Sequence, residues 1–281
     1  MSTKINISKH LFGAIIGDIA GSCYEFSRRK DYDFEFFPAT CDITDDSILT
    51  IATAKTLISR GREAQQGDFA YFYRKFANKY PYPKGSYGAS FVEWLMKDDT
   101  TSYNSLGNGA PMRVSACAYA YLDQDINVAL DLATKSAAST HNHWQAVRAV
   151  QAVVSCIWYL YNGMSLDFTI KTIDQQFGYD KATFYINHED LFDAYRNDYQ
   201  YTEHSDKTVE GALICALTAT SFEDAIRRAV SLGGDADTLA AITGSIAEAR
   251  FEIPDAMIKV AKAKLPSYLH NIVIDFNSRI S

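Results

Sequence analysis

The amino-acid sequence predicts an all-α protein, built as a single compact multi-helix domain, and three observations support this prediction. Apolar residues recur at helical spacing in ten segments, while the two-residue alternation of half-buried strands is scarce. Apolar residues make up 47% of the 281 positions, enough for a sizeable buried core. No window approaches the roughly 18 uninterrupted apolar residues that a membrane helix needs. We therefore expect one helical domain over residues 1–281.

The first predicted helix runs from Ser47 to Arg60 and ends at Gly61, a residue type that often terminates helices. A later helix is preceded by Ser221, whose hydroxyl is suited to cap it, and has two acids in its first turn, where the helix dipole favours them. The ten predicted helical segments are 47–60, 68–79, 126–139, 144–162, 165–177, 188–196, 207–219, 222–232, 238–250 and 255–264.

Three stretches are predicted to connect these helices: 80–85, 98–109 and 179–206. None is a long Gly/Ser-rich or Pro-rich linker between domains. The two acidic clusters described below are about 190 residues apart in sequence, yet they are predicted to form one site. This arrangement favours a single domain over two independent ones.

Composition excludes several classes of function. A net charge of −7 and a pI near 5.4 argue against general nucleic-acid binding, which needs a basic face. The five cysteines are widely spaced and include no C-x-x-C pair, which fits neither a disulfide framework nor a zinc site. The N-terminus has no signal-like apolar stretch. We expect a cytoplasmic protein with no general nucleic-acid binding and no membrane partner.

The first candidate cluster is Thr44, Asp45 and Asp46, which stand immediately before the helix predicted over 47–60. Adjacent carboxylates repel each other unless a positive charge lies between them. A helix N-terminus supplies partial positive charge and free amides, so a capped helix start with acids in its first turn would also explain these residues. On this cluster alone, the two interpretations remain open.

The second cluster follows two glycines. Gly233 and Gly234 permit a tight turn directly before Asp235, Asp237 and Thr238, and a helix is predicted to follow. The Asp-x-Asp alternation on irregular backbone aims two carboxylates towards one point. A Gly-Gly-Asp turn with capping acids is the simpler alternative.

Together the two clusters offer only oxygen ligands, which suit hard cations such as Mg²⁺, Mn²⁺ or Ca²⁺ better than zinc or copper. The order of residues is not that of an EF-hand loop. Four carboxylates exceed what one divalent ion needs for charge balance. Two ions about 3.5–4 Å apart, sharing carboxylates and waters, would be the economical arrangement.

Several short motifs occur in an order that spans nearly the whole chain. They are GAIIGDIAG (13–21) with Glu25, TDDS (44–47), GNGAPMR (107–113), TH (140–141), VEGAL (209–213), and GGDADT (233–238) with IP (253–254). In this ordered set the chain resembles the ADP-ribosylglycohydrolase family, which includes dinitrogenase reductase-activating glycohydrolase and the ADP-ribosylarginine and ADP-ribosylserine hydrolases. Each motif is weak alone, but the ordered set is specific.

The resemblance implies an all-helical fold with two Mg²⁺ or Mn²⁺ ions as cofactors. It implies a substrate in which the terminal ribose of ADP-ribose is joined to a protein side chain or a small molecule, with ADP-ribose as a product. The residues that match the family's metal ligands are Thr44, Asp45, Asp46, Asp235, Asp237 and Thr238.

Three carboxylates are candidates for catalysis on the same basis. Glu25 matches a family glutamate beside the metals and is expected to handle protons or position water, although it could also be an exposed acid before a basic stretch. Asp45 and Asp235 would counter the charge that develops as a glycosidic bond breaks. Asp18, placed between Gly17 and a predicted small-residue turn, is expected to order the metal ligands or to cap a helix.

A glycine-flanked segment is the candidate binding site for the ADP-ribose. Gly107 and Gly109 on either side of Asn108 would let backbone N–H groups approach a phosphate, and Ser105 and His141 are assigned to the same substrate-binding set. The simpler alternatives are a left-handed turn residue for Asn108 and a capping or hydrogen-bonding role for His141.

The chain departs from its arginine-specific bacterial relatives at one loop. Those relatives carry an Asp-Ile-Gly element where this chain has Gly-Ser-Tyr-Gly at 85–88, with no carboxylate. The sequence therefore does not identify the acceptor group to which the ADP-ribose is joined. Two other functions remain alternatives: a non-catalytic ADP-ribose or nucleotide binder on the same scaffold, and a metal-dependent phosphohydrolase. The phosphohydrolase is weakened because the chain has no His-rich metal set and no Gly-x-x-x-x-Gly-Lys loop.

Overall fold

A computed structural model describes residues 9–280, and these residues form fifteen α-helices with no strand among them, which confirms the predicted all-α class. The helices are α1 (Phe12–Gly21), α2 (Asp45–Arg60), α3 (Gln66–Lys79), α4 (Ala89–Leu95), α5 (Ser115–Tyr119), α6 (Ile126–Ala138), α7 (Trp144–Tyr161), α8 (Leu166–Phe177), α9 (Asp180–Ile186), α10 (Phe192–Asp198), α11 (Ser205–Thr218), α12 (Phe222–Ser231), α13 (Ala236–Ala247), α14 (Asp255–Lys264) and α15 (Ser267–Ile280).

Nine of the ten predicted segments coincide with α-helices to within three residues at each end. The tenth, 188–196, divides into a short 3-10 helix (Glu189–Leu191) and α10. The predicted cap of α12 is confirmed, because the Ser221 hydroxyl accepts a hydrogen bond from the Asp224 N–H. Helix boundaries follow local capping and glycine rules, so the sequence predicts them well.

Five helices were not predicted, for different physical reasons. Every residue of α1 is buried, so this helix has no polar face to reveal a helical period. The helices α4, α5 and α9 are five to seven residues long, too short for a periodic window, and α9 lies inside the predicted connector 179–206. In contrast, α15 carries a regular apolar pattern that could have been predicted: Leu269, Ile272, Val273 and Phe276 are all buried.

The helices α1 and α13 pack against each other with their backbones in contact. A Cβ atom added at Gly17 would lie 2.0 Å from the Ala240 carbonyl oxygen, and one added at Gly244 would lie 2.1 Å from the Gly13 carbonyl oxygen. Only glycine permits so close an approach. The sequence had suggested that Asp18 stands beside a turn. In the structure it is an interior residue of α1.

The helix α13 is buried over its whole length and also packs against α11 and α12, while α2 packs against α1, α3 and α15. This arrangement brings the N-terminal ends of α2 and α13 to the C-terminal half of α1, where α2 begins beside Asp18 and α13 begins against Gly21. In the part of the chain that is described, no helix has the length and apolar character needed to cross a bilayer.

Candidate metal centre

The two acidic clusters predicted from the sequence meet in space. One carboxylate oxygen each from Asp18, Asp46 and Asp237 lie within 4.8 Å of one another, and so do oxygens from Glu25, Asp235 and Asp237. Asp237 belongs to both groups, so the groups adjoin. A further link is the Thr238 hydroxyl, which donates to Asp46 Oδ2 at 3.3 Å.

Thr44 caps α2, as the simpler interpretation of the first cluster expected. Its hydroxyl oxygen accepts a hydrogen bond from the Asp46 N–H at 3.1 Å, and the hydroxyl donates to Asp18 Oδ1 at 2.7 Å. The cap satisfies a backbone N–H group at the start of α2, but it does not explain the carboxylates. Asp46 Oδ1 in particular is buried with no hydrogen-bond partner in the described structure. Capping and ligand binding are therefore compatible roles for this turn.

Asp18 joins α1 to the first turn of α2. Its carboxylate accepts hydrogen bonds from the N–H groups of Thr44 (3.0 Å) and Ser47 (3.1 Å) and from both of their hydroxyls. These bonds favour the charged carboxylate, but complete burial outweighs them and raises the pKa of Asp18 to about 6. Asp18 thus orients the residues that carry the first cluster.

The turn before α13 needs both of its glycines. Gly233 has a φ of +65°, a left-handed conformation that favours glycine. A Cβ atom at Gly234 would lie 2.7 Å from the Tyr199 ring. This turn places Asp235 at the N-cap position of α13, where its side chain makes no capping hydrogen bond. The Asp235 carboxylate instead lies beside those of Glu25 and Asp237.

The carboxylates of the two clusters fit a divalent cation. Burial is the largest cause that raises the pKa of Asp45, Asp46, Asp235 and Asp237 above the ordinary range. Repulsion between neighbouring carboxylates adds to this effect for Asp45, Asp46 and Asp237. Buried, mutually repelling carboxylates are costly unless a positive charge compensates them. An oxygen-only donor set suits Mg²⁺ or Mn²⁺, and the unpartnered Asp46 Oδ1 is a free ligand atom.

Asp45 differs from the other three acids. It keeps some solvent-exposed surface, although burial is the main cause of its raised pKa, and it belongs to neither three-carboxylate group. Its charge nevertheless acts on its surroundings, since it contributes to the raised pKa values of Asp46 and Tyr87. Asp45 therefore stands at the open edge of the centre.

Glu25 is half-buried beside the acidic centre and is not an isolated surface acid. Burial, followed by the negative charges of Asp235 and Asp18, raises its pKa to about 7. Gly85, with a φ of +78°, lies so close that an added Cβ atom would be 2.8 Å from Glu25 Oε2. The open side of Glu25 faces a cavity of about 240 Å³, lined also by Ser22, Cys23, Phe26, Ser27, Thr40, Lys84 and Gly85.

Asn108 contacts the acidic centre directly. Its side-chain amide donates to Asp235 Oδ2 at 2.8 Å and to the Thr208 hydroxyl at 3.3 Å, and its backbone N–H donates to the Glu203 carbonyl at 2.7 Å. Its backbone is not left-handed; among the nearby residues it is Asn104 that has a positive φ, +53°. The structure thus gives Asn108 a role in orienting Asp235 that the sequence did not suggest.

His141 faces the glycine loop. Its ring is buried, and added Cβ atoms at Gly109 and Gly107 would lie 3.2 Å and 3.6 Å from His141 Nε2. The two glycines therefore leave space in front of this nitrogen. Capping is not its role, because the side chain that caps α7 is His143.

The five predicted substrate-binding residues lie together beside the acidic centre, and we call this group the glycine-loop wall. The Ser105 hydroxyl oxygen accepts a hydrogen bond from the Gly107 N–H at 3.0 Å, which shapes the loop. His141 lies against Gly107 and Gly109, and Asn108 connects this wall to Asp235.

Sequence reasoning missed three residues of the site: Lys84, Glu203 and Thr208. Lys84 lines the cavity beside Glu25, and Glu203 and Thr208 accept hydrogen bonds from Asn108. No local pattern marks them, because each acts through a contact with a distant segment. The VEGAL motif, which begins directly after Thr208, was the nearest available signal.

Comparisons with known proteins agree with this geometry. The model of the ADP-ribosylglycohydrolase family matches residues 5–274 of the chain. The chain is 23% identical over 277 residues to the ADP-ribosylarginine hydrolase Tri1 of Pseudomonas putida (strain GB-1), a match that covers 89% of this chain and 73% of that protein. Among solved structures, an "ADP-ribosylglycohydrolase-related protein complex" is similar, with a TM-score of 0.66, 19% identity and 96% of each chain covered. At that identity the structural match supports the fold alone.

Proposed function

Because the chain belongs to the ADP-ribosylglycohydrolase family, we propose that it is a metal-dependent hydrolase that cleaves the bond between the terminal ribose of an ADP-ribose conjugate and its acceptor. The acceptor is a protein side chain or a small molecule, and the products include free ADP-ribose, so the reaction reverses ADP-ribosylation. The observation that carries the proposal is the pair of adjoining carboxylate groups that share Asp237.

Two Mg²⁺ or Mn²⁺ ions are the proposed cofactors. When bound, they would supply Lewis-acid contacts that hold the vicinal ribose hydroxyls and orient the ribose. The burial and mutual repulsion of the carboxylates support this proposal, because both effects are relieved by bound positive charge. The residues proposed to hold the ions are Thr44, Asp45, Asp46, Asp235, Asp237 and Thr238.

The chain's own carboxylates are suited to the bond cleavage. Positive charge develops on the ribose ring as the glycosidic bond breaks, and Asp45 and Asp235 would counter that charge from fixed positions. Glu25 would handle the proton, either by activating the attacking water or by protonating the leaving atom. Its open side, towards the cavity lined by Lys84, is where acceptor and water can reach it.

The glycine loop would hold the ADP end of the substrate. Gly107 and Gly109 keep the space in front of His141 Nε2 free of side chains, and Asn108 couples the loop to Asp235. A substrate bound along this wall would therefore extend from the loop to the acidic centre and then towards Glu25. This order matches an ADP-ribose whose terminal ribose is the reacting group.

The proposal is tested by incubating the full chain with peptides ADP-ribosylated on arginine, on serine or on glutamate, in Mg²⁺ or Mn²⁺, and measuring released ADP-ribose by chromatography. We expect release from at least one substrate class, and its loss in EDTA or in Asp235→Ala. Inactivity on all of these and on O-acetyl-ADP-ribose would reject the hydrolase. Tight calorimetric binding of ADP-ribose without turnover would instead identify a non-catalytic binder.

A further inference from the structure

Arg113 is a buried cation with an unusual environment. Its side chain is fully buried, and no carboxylate in residues 9–280 forms a salt bridge with it. The guanidinium lies over the Tyr73 ring, 3.9 Å from the ring centroid. Its Nη2 donates to the Thr140 hydroxyl oxygen at 2.5 Å, while Nε and Nη1 have no partner in the described structure. Burying a guanidinium without an ion-pair partner costs hydration free energy, so its hydrogen bond to Thr140 is expected to have a specific function.

The hydrogen bond from Arg113 favours one direction for the hydrogen bond between Thr140 and His141. Arginine has only donors, so Thr140 must accept from it. The Thr140 hydroxyl hydrogen is buried and needs an acceptor, and His141 Nδ1 lies 2.7 Å from the Thr140 oxygen. If Thr140 donates to Nδ1, that nitrogen carries no hydrogen, and the neutral ring carries its hydrogen on Nε2.

The opposite direction is disfavoured by electrostatics. A hydrogen on His141 Nδ1 would turn the positive end of the imidazole dipole towards the Arg113 guanidinium, because both groups would then donate to the Thr140 oxygen. The Thr140 hydrogen would then have to turn to Tyr103, the other hydroxyl near it. With the hydrogen on Nε2, the negative end of the imidazole dipole faces Arg113 instead.

We infer that Arg113 and Thr140 are positioning residues that hold His141 as a neutral imidazole with its hydrogen on Nε2, which makes it a fixed hydrogen-bond donor towards the substrate. Burial and the charge of Arg113 lower the pKa of His141 well below its ordinary value, which keeps the ring neutral. The Nε2–H faces the space that Gly107 and Gly109 leave open, so its acceptor is an oxygen of the ligand in that space. That this ligand is ADP-ribose rests on the proposed function; the state of the ring does not.

Thr140→Val tests the inference, with Thr140→Ser as its matched control. Valine keeps the shape of threonine but can neither accept nor donate, whereas serine keeps the hydroxyl. Nitrogen-15 NMR of histidine-labelled full-length protein reports which ring nitrogen carries the hydrogen, and His141→Gln assigns the signal. Calorimetry with ADP-ribose and Mg²⁺ measures binding, and near-UV circular dichroism confirms that each variant is folded.

We expect the Nε2–H form in the wild type and in Thr140→Ser, and a loss of that single form in Thr140→Val with about tenfold weaker binding of ADP-ribose. An Nδ1–H form in the wild type would overturn the inference, as would a Thr140→Val protein whose His141 spectrum is unchanged. If wild-type His141 has the expected form but the protein does not bind ADP-ribose, the positioning of His141 by Arg113 and Thr140 is supported and ADP-ribose is rejected as the ligand. The two claims can therefore fail separately.

Discussion

The acidic centre and the glycine-loop wall adjoin in the site, but different kinds of backbone carry them. Asp46 and Asp237 stand in the first turns of α2 and α13, and the backbone contact between α1 and α13 sets their separation from Asp18. The loop wall is held by hydrogen bonds to the loop before α11 and to the start of that helix, including Asn108 N–H to the Glu203 carbonyl and Ser205 N–H to the Leu106 carbonyl.

This difference indicates where the site is sensitive to change. Backbone-to-backbone packing cannot absorb even one methyl group, so a substitution far from the chemistry can displace the acids. A single hydrogen bond between loops contributes only about 0.5–1.5 kcal/mol, so the loop wall should respond more gradually. The following predictions test this contrast, from the largest expected effect to the smallest.

Gly17→Ala should destabilise the protein most, by about 4–5 kcal/mol, because the new methyl group would overlap the Ala240 backbone 2.0 Å away. Urea unfolding measures the loss. Gly67→Ala in α3 is the control: an added Cβ atom there meets nothing within 4 Å, so its stability should be equal or slightly higher. Equal stability for the two variants would show that α1 and α13 are not in backbone contact.

Asp46→Asn should lower the rate of ADP-ribose release by about a thousandfold. The variant loses a carboxylate whose negative charge is proposed to hold a metal ion in the centre. In EDTA at pH 8 the same variant should be more stable than the wild type, since it removes one buried charge whose pKa is raised by burial. Thermal unfolding measures the second effect. The exposed Asp42→Asn is the control and should change neither quantity; a metal-free Asp46→Asn that is less stable would contradict the charge argument.

In EDTA, the free energy of unfolding should fall as the pH rises from about 4 to about 7. Burial raises the pKa of Asp18 to about 6 and that of Glu25 to about 7, so in this window the folded protein binds more protons than the unfolded chain. The fall should be on the order of 2–3 kcal/mol, mostly from Asp18, because Glu25 is half exposed to solvent screening.

Urea unfolding at several pH values, with and without saturating Mg²⁺, measures this dependence. Bound cations favour the ionised carboxylates, so the fall should be smaller in Mg²⁺. If the free energy of unfolding of the metal-free protein instead rises over this pH range, Asp18 and Glu25 are not buried as described.

Asn108→Ala should weaken Mn²⁺ binding by about tenfold, a smaller effect than loss of a ligand, because it removes the amide that orients Asp235. Calorimetric titration with Mn²⁺ measures the change. Asn127→Ala, on the exposed surface of α6, should leave the affinity as in the wild type. An unchanged affinity in Asn108→Ala would mean that Asp235 is held without this contact.

Much of the acidic centre was predictable because it depends on local rules. The Thr44 cap of α2 and the left-handed Gly233 are properties of a few consecutive residues, and the ligand types stand beside them. Pairing of the two clusters came from the ordered motifs, and the structure places the clusters side by side. The burial of Asp18 inside α1 was missed, since a helix that is apolar all round shows no period.

By itself, the sequence determined the helical class, most helix boundaries and the chemical types of the candidate ligands, because capping, glycine turns and apolar periodicity act over a few residues. Only the tertiary structure decided which partner each side chain meets. It turned the Asn108 amide to Asp235, brought Lys84 to the cavity beside Glu25, and placed the Arg113 guanidinium against the Thr140 hydroxyl. These contacts join segments that are 27 to 127 residues apart, where local sequence rules no longer apply.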